Sequence, residues 1–205
     1  MIWNLCESPR RRDAVATREA ILRSARQAFA RSGYDGAGVR EIAAGAGVTA
    51  MLVNRYFGSK EQLFAEVIAA AAAEPVILTP ENLASPDLGE TIARMLVEIT
   101  RSGDTPLDGF LIMLHSASSQ RAAELGRAQI EKGHHRTMTT ALGGPHAPER
   151  AALVLALVAG FQMMRQVMGL TALARAQPEV LVGLLAPLFR QLIDGPATEE
   201  TQPEG

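Results

Sequence analysis

Nowhere does this chain alternate apolar and polar residues over the length of a β-strand, and that constrains its fold more than any other feature. Between its breakers Ala, Leu, Arg, Glu and Met dominate, residues that lose little side-chain freedom in a helix. The sequence therefore predicts an all-α fold of about nine helices, divided by glycine, proline and capping residues. The predicted spans are 13–31, 39–46, 50–57, 59–74, 86–101, 107–115, 118–142, 148–174 and 178–193. Ser59, with Gln62 three residues on, reads as a capping box, and Ser85–Pro86, Pro148–Glu149 and Pro178–Glu179 read as later helix starts. Residues 75–85, with Pro75 and Pro80, read as a connection. Gly126 and Gly133 interrupt the seventh span and Pro187 kinks the last. The acidic, Pro/Gly-rich residues 195–205 read as a disordered tail.

Composition narrows the class. The chain has 205 residues, 47% hydrophobic and 20% charged, which suffices for a core and excludes a disordered polymer. A single cysteine, Cys6, leaves no internal disulfide and fits a reducing compartment. The longest apolar run, Ala151 to Phe161, is short of the roughly 20 residues that span a bilayer. The segment MIWNLCESPRRRD lacks the apolar stretch of a signal peptide. These features together predict a cytoplasmic protein without a membrane partner.

The formal charge of -2 argues against a uniformly basic nucleic-acid binder, but it averages over a division. Residues 1–60 carry ten basic and five acidic side chains, and the rest carry 10 and 17. A net of +5 at one end against -7 elsewhere places a polyanion partner at the N-terminal end.

The informative stretch lies inside that basic segment: VREIAAGAGVTAMLVNRYFGSK, residues 39–60. Two short helices meet at Gly45–Val48, and Gly47 suits the positive φ that a tight interhelical turn demands. Ala43 is small where crossing helices approach, and Ile42, Val48, Val53 and Phe57 are spaced to share a core with Ile21 and Phe29. This is the pattern of a helix-turn-helix. Its second helix keeps an outer face of Thr49, Ala50, Met51, Asn54 and Arg55.

From Gly33–Tyr34 through Val39–Ala43 and Ala46–Thr49 to Tyr56–Phe64, the chain resembles the DNA-binding domain of the TetR family of bacterial transcriptional repressors. The likeness covers roughly residues 17–64 without a gap. The resemblance implies a homodimer with a small N-terminal reading head and a larger ligand-sensing body. It divides the chain into a basic arm at 1–12, a helix-turn-helix domain at 13–62, a ligand-binding and dimerisation domain at 63–194, and the tail.

Carried over by position, the resemblance implies DNA contacts at Arg40, Thr49, Ala50, Met51, Leu52, Asn54, Arg55, Tyr56 and Lys60. Arg40 can pair bidentately with guanine, and Thr49 can both cap its helix and reach a phosphate. Ala50, Met51 and Leu52 offer only van der Waals contact, for instance to thymine methyls. Asn54 departs from the usual tyrosine; it suits adenine N6/N7 or a phosphate oxygen, and its position does not choose between them. Arg55 and Tyr56 suit the backbone, and Lys60 joins the free N–H groups of a helix start on a phosphate. Gly38 replaces the usual Ser or Thr cap. Arg10, Arg11 and Arg12 read either as a minor-groove arm or as a solubilising tail.

In the body, residues 151–168 are apolar on nearly all sides, and residues 180–192 nearly so, which predicts burial all round. The family pattern places a two-fold, four-helix dimer interface on these last two helices. It implies a pocket for a small, largely apolar effector, with Phe110, Met113, Leu114, Met138, Phe161 and Met164 as lining and His115 and Arg165 as orienting polar groups.

Two rival readings remain at this level. The body can instead bind a protein partner. Glu131 and His134, with His135 beside them, have the Glu-x-x-His spacing of a helical metal site, but no second such motif exists for a di-iron bundle. No phosphate loop, zinc spacing or nucleophile elbow is present, so the expectation is no enzyme, no metal and no cofactor.

Overall fold

The computed structural model describes residues 9–73, 76–101 and 107–195, and every regular element among them is helical. In chain order these are α1 (Pro9–Gly36), α2 (Val39–Gly45), α3 (Ala50–Phe57), α4 (Lys60–Ala72), α5 (Pro80–Leu83) and α6 (Leu88–Ile99). Then come α7 (Asp108–Ser116), α8 (Gln120–Ile130), α9 (Arg136–Leu142), α10 (Ala147–Gln162), α11 (Thr171–Ala174) and α12 (Pro178–Asp194). Two π-helical segments, Glu131–His135 and Met163–Val167, follow α8 and α10 directly. The chain divides into two compact units: residues 1–74 with 106–129, and residues 75–105 with 130–205.

The first unit closes around Ile21, Phe29, Ile42, Val53, Phe57, Leu63, Phe64 and Ile112. Phe64 stands edge-on to both Phe29 and Tyr34, with ring centroids 5.0 Å apart in each case. Contacts thus place α4, α7 and α8 with the helix-turn-helix, whereas the sequence reading drew a division at residue 62. The reason is burial: Leu63, Phe64, Val67 and Ile68 on α4 and Ile112 on α7 complete a core that a three-helix motif is too small to close alone.

Gly33 governs how α1 meets α7. It breaks the helix at φ +66°, and a Cβ there would lie 2.2 Å from the His115 carbonyl oxygen. Beyond it the Tyr34 N–H donates to Ser116 Oγ at 2.9 Å, and His115 Nδ1 lies 2.6 Å from the Ala30 carbonyl oxygen. At its other end α1 begins at Pro9, so Arg10–Arg12 have helical backbone. Residues 1–8 of the basic arm lie outside the described residues, as do residues 196–205 of the tail.

In the second unit α6 crosses α12 at Gly89, where a Cβ would stand 2.9 Å from the Arg190 backbone nitrogen. Asp87 caps α6 by accepting from the Glu90 N–H at 3.0 Å and also pairs with Arg190 of α12 at 2.6 Å. The cap is therefore Asp87, one turn-residue past the Ser85–Pro86 pair that the sequence favoured. Arg150 is 7% exposed and ties together two helix ends. Its Nε donates to the Pro145 carbonyl at 3.0 Å, its Nη1 to Leu192 and Ile193 at 3.1 and 2.6 Å, and its Nη2 to Gly143. A cation there meets the negative ends of α9 and α12.

The helix count differs from the sequence expectation for local reasons. Thr79 caps a single turn, α5, inside the expected connection, and Leu78 beside it is buried. The interruption of the seventh span falls at Gly133 (φ -99°, ψ -108°), while α8 runs straight through Gly126. Gly126 serves a close approach: a Cβ there would lie 2.0 Å from Met113 Cε.

Helix Ala147–Val167, counted through its π segment, has 21 residues, and an 18-residue stretch of it has a mean hydropathy of 1.2, long and apolar enough to cross a membrane by length and composition only. That is longer than the run Ala151–Phe161 implied. Nor is it buried all round within the chain: Leu153, Met164 and Val167 are exposed, as are Val180, Leu184 and Leu188 of α12.

Candidate nucleic-acid interface and effector cavity

The turn between α2 and α3 has the geometry its glycine implied. Gly47 takes φ +68°, the Val48 N–H donates to Ala43 O at 2.9 Å, and the Gly47 N–H donates to Ala44 O at 3.1 Å. These are the paired bonds of a Schellman stop. Gly45 makes a close approach to α1: a Cβ there would lie 2.4 Å from Ser24 Oγ, which donates to Ile42 O at 2.8 Å, and Ala43 is buried in the shared core. Thr49 caps α3 by accepting from the Leu52 N–H at 3.3 Å, and Ser59 caps α4 by accepting from Gln62 at 3.1 Å. Gly38 starts α2 without a side-chain cap.

These caps set the direction of α3. Val53 and Phe57 turn into the core, which leaves Thr49, Met51, Asn54 and Arg55 exposed, Met51 by 80%. Ala50, Leu52 and Tyr56 are half-buried at the edge of that face. Arg40 is exposed on the first turn of α2. Lys60, first residue of α4, rests its Nζ 4.7 Å from the Tyr34 ring centroid.

Ion pairing sorts the basic residues in a way that sequence counting misses. Arg18 pairs with Glu66, Arg26 with Asp108 at 3.1 Å and Arg31 with Glu41 at 2.7 Å. The Arg31 hydrogen bond holds the Glu41 carboxyl below its usual range. Among the described residues no carboxylate lies within ion-pair distance of Arg40, Arg55 or Lys60, nor of Arg23, which the sequence reading did not single out. Arg40, Arg55 and Lys60 thus keep their charge unpaired at the helix-turn-helix, and Arg23 keeps its charge on the exposed side of α1.

The eight residues expected to line a pocket fall in two places. Phe110, Met113, Leu114 and His115 are on α7 in the first unit, where Met113 packs on the core and the His115 ring contacts the Ala30 carbonyl. Met138 and Phe161 belong to the core of the second unit, and Met164 is exposed. Arg165 is 8% exposed, 5.7 Å from the Phe161 ring centroid, and donates to Val97 O at 2.7 Å and Thr100 Oγ1 at 2.8 Å. It lines a cavity of about 230 Å³ together with Thr100, Arg101, Ala174, Ala176 and Pro178, of which only Arg165 was expected from the sequence.

The Glu131–His134 pair lies on the π segment, and His135 Nε2 stands 2.9 Å from the Pro148 carbonyl oxygen. Among the described residues no group of three His, Cys, Asp or Glu side chains is placed to hold a metal.

A helical bundle carrying a short capped helix with an exposed face, and with Arg40, Arg55 and Lys60 on and beside it, has the form of a helix-turn-helix regulator. Comparison with known families agrees. A family model described as bacterial regulatory proteins, tetR family, matches residues 21–67. Another, described as tetracyclin repressor-like, C-terminal domain, matches residues 87–193, just over half of the chain. The chain belongs to the TetR family of transcriptional regulators, with a helix-turn-helix DNA-binding domain.

Solved structures show the same fold. The TetR-family regulator SCO0857 of Streptomyces coelicolor is 26% identical, with a TM-score of 0.56, over 87% of this chain and 95% of that one. GusR of Salmonella enterica, 18% identical, aligns with a TM-score of 0.69 over 93% and 99% of the two chains. NalD of Pseudomonas aeruginosa, the secondary repressor of the MexAB-OprM multidrug efflux pump, is 20% identical, with a TM-score of 0.62 over 88% and 98%. A search of curated proteins finds no match.

Proposed function

We propose that the protein is a cytoplasmic repressor that binds a pseudo-palindromic operator as a homodimer and leaves it when a small, largely apolar effector binds. The observation that carries this reading is the exposed face of α3, flanked by the unpaired cations Arg40, Arg55 and Lys60. Such a face can enter a major groove while the cations neutralise phosphates on either side. Apolar Met51 leaves base recognition to Arg40 and Asn54 and to the shape of the duplex.

Exposure also favours the dimer. Val180, Leu184 and Leu188 of α12 form one apolar stripe, and Leu153, Met164 and Val167 of α10 and its π extension form another, with Ala152, Ala156 and Gly160 beside Leu153. Contiguous apolar surface on two neighbouring helices is what a two-fold, self-complementary interface buries. An effector that prefers one arrangement of that dimer shifts its population away from the form that fits the operator.

Quantitative footprinting and salt titration on the DNA upstream of the protein's own gene test the reading head. Lys60→Ala should weaken binding to all sequences and lower the salt slope by about one for each protomer. Arg40→Ala should cost about 1–3 kcal/mol and also relax base preference. Unchanged footprints and slopes in both variants would reject the assignment.

A further inference from the structure

The second unit buries two arginines, and they differ in how their donors are used. Arg150 commits Nε, Nη1 and Nη2 to carbonyl oxygens at helix ends, so its burial is explained by what it holds together. Arg165 is buried to the same degree, 8% against 7% exposed. Yet among the described residues only its Nη1 is engaged, by Val97 O and Thr100 Oγ1. Thr100 passes that contact on by donating to Leu96 O at 2.5 Å. Nε and Nη2 find no partner among the described residues, and no carboxylate there pairs with the guanidinium. Burial and the neighbouring Arg101 charge both oppose this cation and lower its pKa. With Nε and Nη2 uncommitted, the guanidinium keeps three of its five N–H donors for whatever lies beside it.

The cavity that Arg165 lines has two further positive contributions. Arg101 is on its wall, held 3.1 Å from Glu98. Pro178 is there as the first residue of the 17-residue α12, whose N-cap Gln177 supplies no side-chain hydrogen bond, so the positive helix end is left uncapped. Two arginines against one glutamate leave a single net positive charge, which a carboxylate balances and a phosphomonoester, at about -1.5 to -2, exceeds. The volume of about 230 Å³ is below the roughly 300–1,000 Å³ of sites for drug-sized ligands, which suits a small acid or the acid end of a longer one.

We propose that this cavity binds the carboxylate of a small organic acid, with Arg165 as its bidentate partner and Arg101 and the start of α12 as supporting charge. This rests on the reading of the second unit as effector-binding and gives that effector a chemical class: an apolar body with an anionic end.

Thermal unfolding of the full-length protein, with benzoate and hexanoate titrated to about 20 mM against benzamide and hexanamide at matched ionic strength, tests it. The acids should raise Tm by about 3 °C or more and the amides should not. Arg165→Met should abolish the rise. Arg165→Lys, which keeps the charge but loses the planar fork, and Arg101→Gln should each weaken acid binding about tenfold, and they carry the test if Arg165→Met does not fold.

Equal shifts from acids and amides, no shift from either acid, or unchanged acid affinity in Arg165→Lys and Arg101→Gln would each overturn the site. So would an equal, Arg165-dependent shift from inorganic phosphate. Affinity for the upstream DNA, measured on the same samples, separates this inference from the reading beneath it. Intact DNA binding without an acid shift overturns the carboxylate site and leaves the regulator standing. An acid shift that needs Arg165 but leaves DNA affinity unchanged supports the site and removes the effector role.

Discussion

Single residues in this chain are decided by the use made of their polar atoms. Arg150 shows it most directly: three nitrogens satisfy carbonyls where two helices end, and removing them strands those acceptors in the interior. Arg150→Met should therefore lower stability by about 2–4 kcal/mol, seen as a fall in the denaturant midpoint. Titration acts at the same scale. Burial pushes the His134 imidazole below its usual pKa, so the folded state resists the proton that the unfolded chain accepts. Stability is then full above about pH 6.5 and falls as pH drops through that value. Asp87, held low by Arg190, adds stability that is present above its ordinary value of about 3.9 and is lost at lower pH. Melting curves between pH 7.5 and 5.5 should show the His134 loss, and His134→Gln should flatten it.

Elements are decided by close approaches that only glycine permits. Gly33 combines φ +66° with a carbonyl oxygen where its Cβ would stand. Gly33→Ala should cost about 2–4 kcal/mol and separate α1 from α7 before the rest of the fold is lost, which hydrogen exchange at Tyr34 would report. Gly47 has the same sign of φ but open space around it, so Gly47→Ala should cost only about 1–2 kcal/mol in chemical denaturation. The second glycine was legible from its place between two short helices. The steric part of the first was not, because the obstructing atom belongs to His115, far along the chain. The caps divide likewise: Ser59 and Thr49 announce themselves by local spacing, while Asp87 is preferred over Ser85 partly because Arg190, 103 positions away, fixes it.

For the whole molecule, the deciding quantity is apolar surface that the chain leaves uncovered. Leu184 is 66% exposed and Leu153 54% exposed, large values for leucine on helices as apolar as α12 and α10. Leu184→Glu combined with Leu153→Glu should give a folded monomer by sedimentation, with operator affinity reduced at least tenfold because two half-sites are no longer engaged together.

The all-helical class, the helix-turn-helix and its outward face follow from the sequence alone, because helix period, capping and a turn glycine act over a few residues. The division of charge, +5 against -7, was equally plain. Which of those cations stay unpaired, why one buried arginine is saturated and another is not, and where a cavity opens were decided only by the tertiary structure. Ion pairs, carbonyl acceptors and cavity walls are made between residues dozens of positions apart, and spacing along a chain carries no measure of those distances.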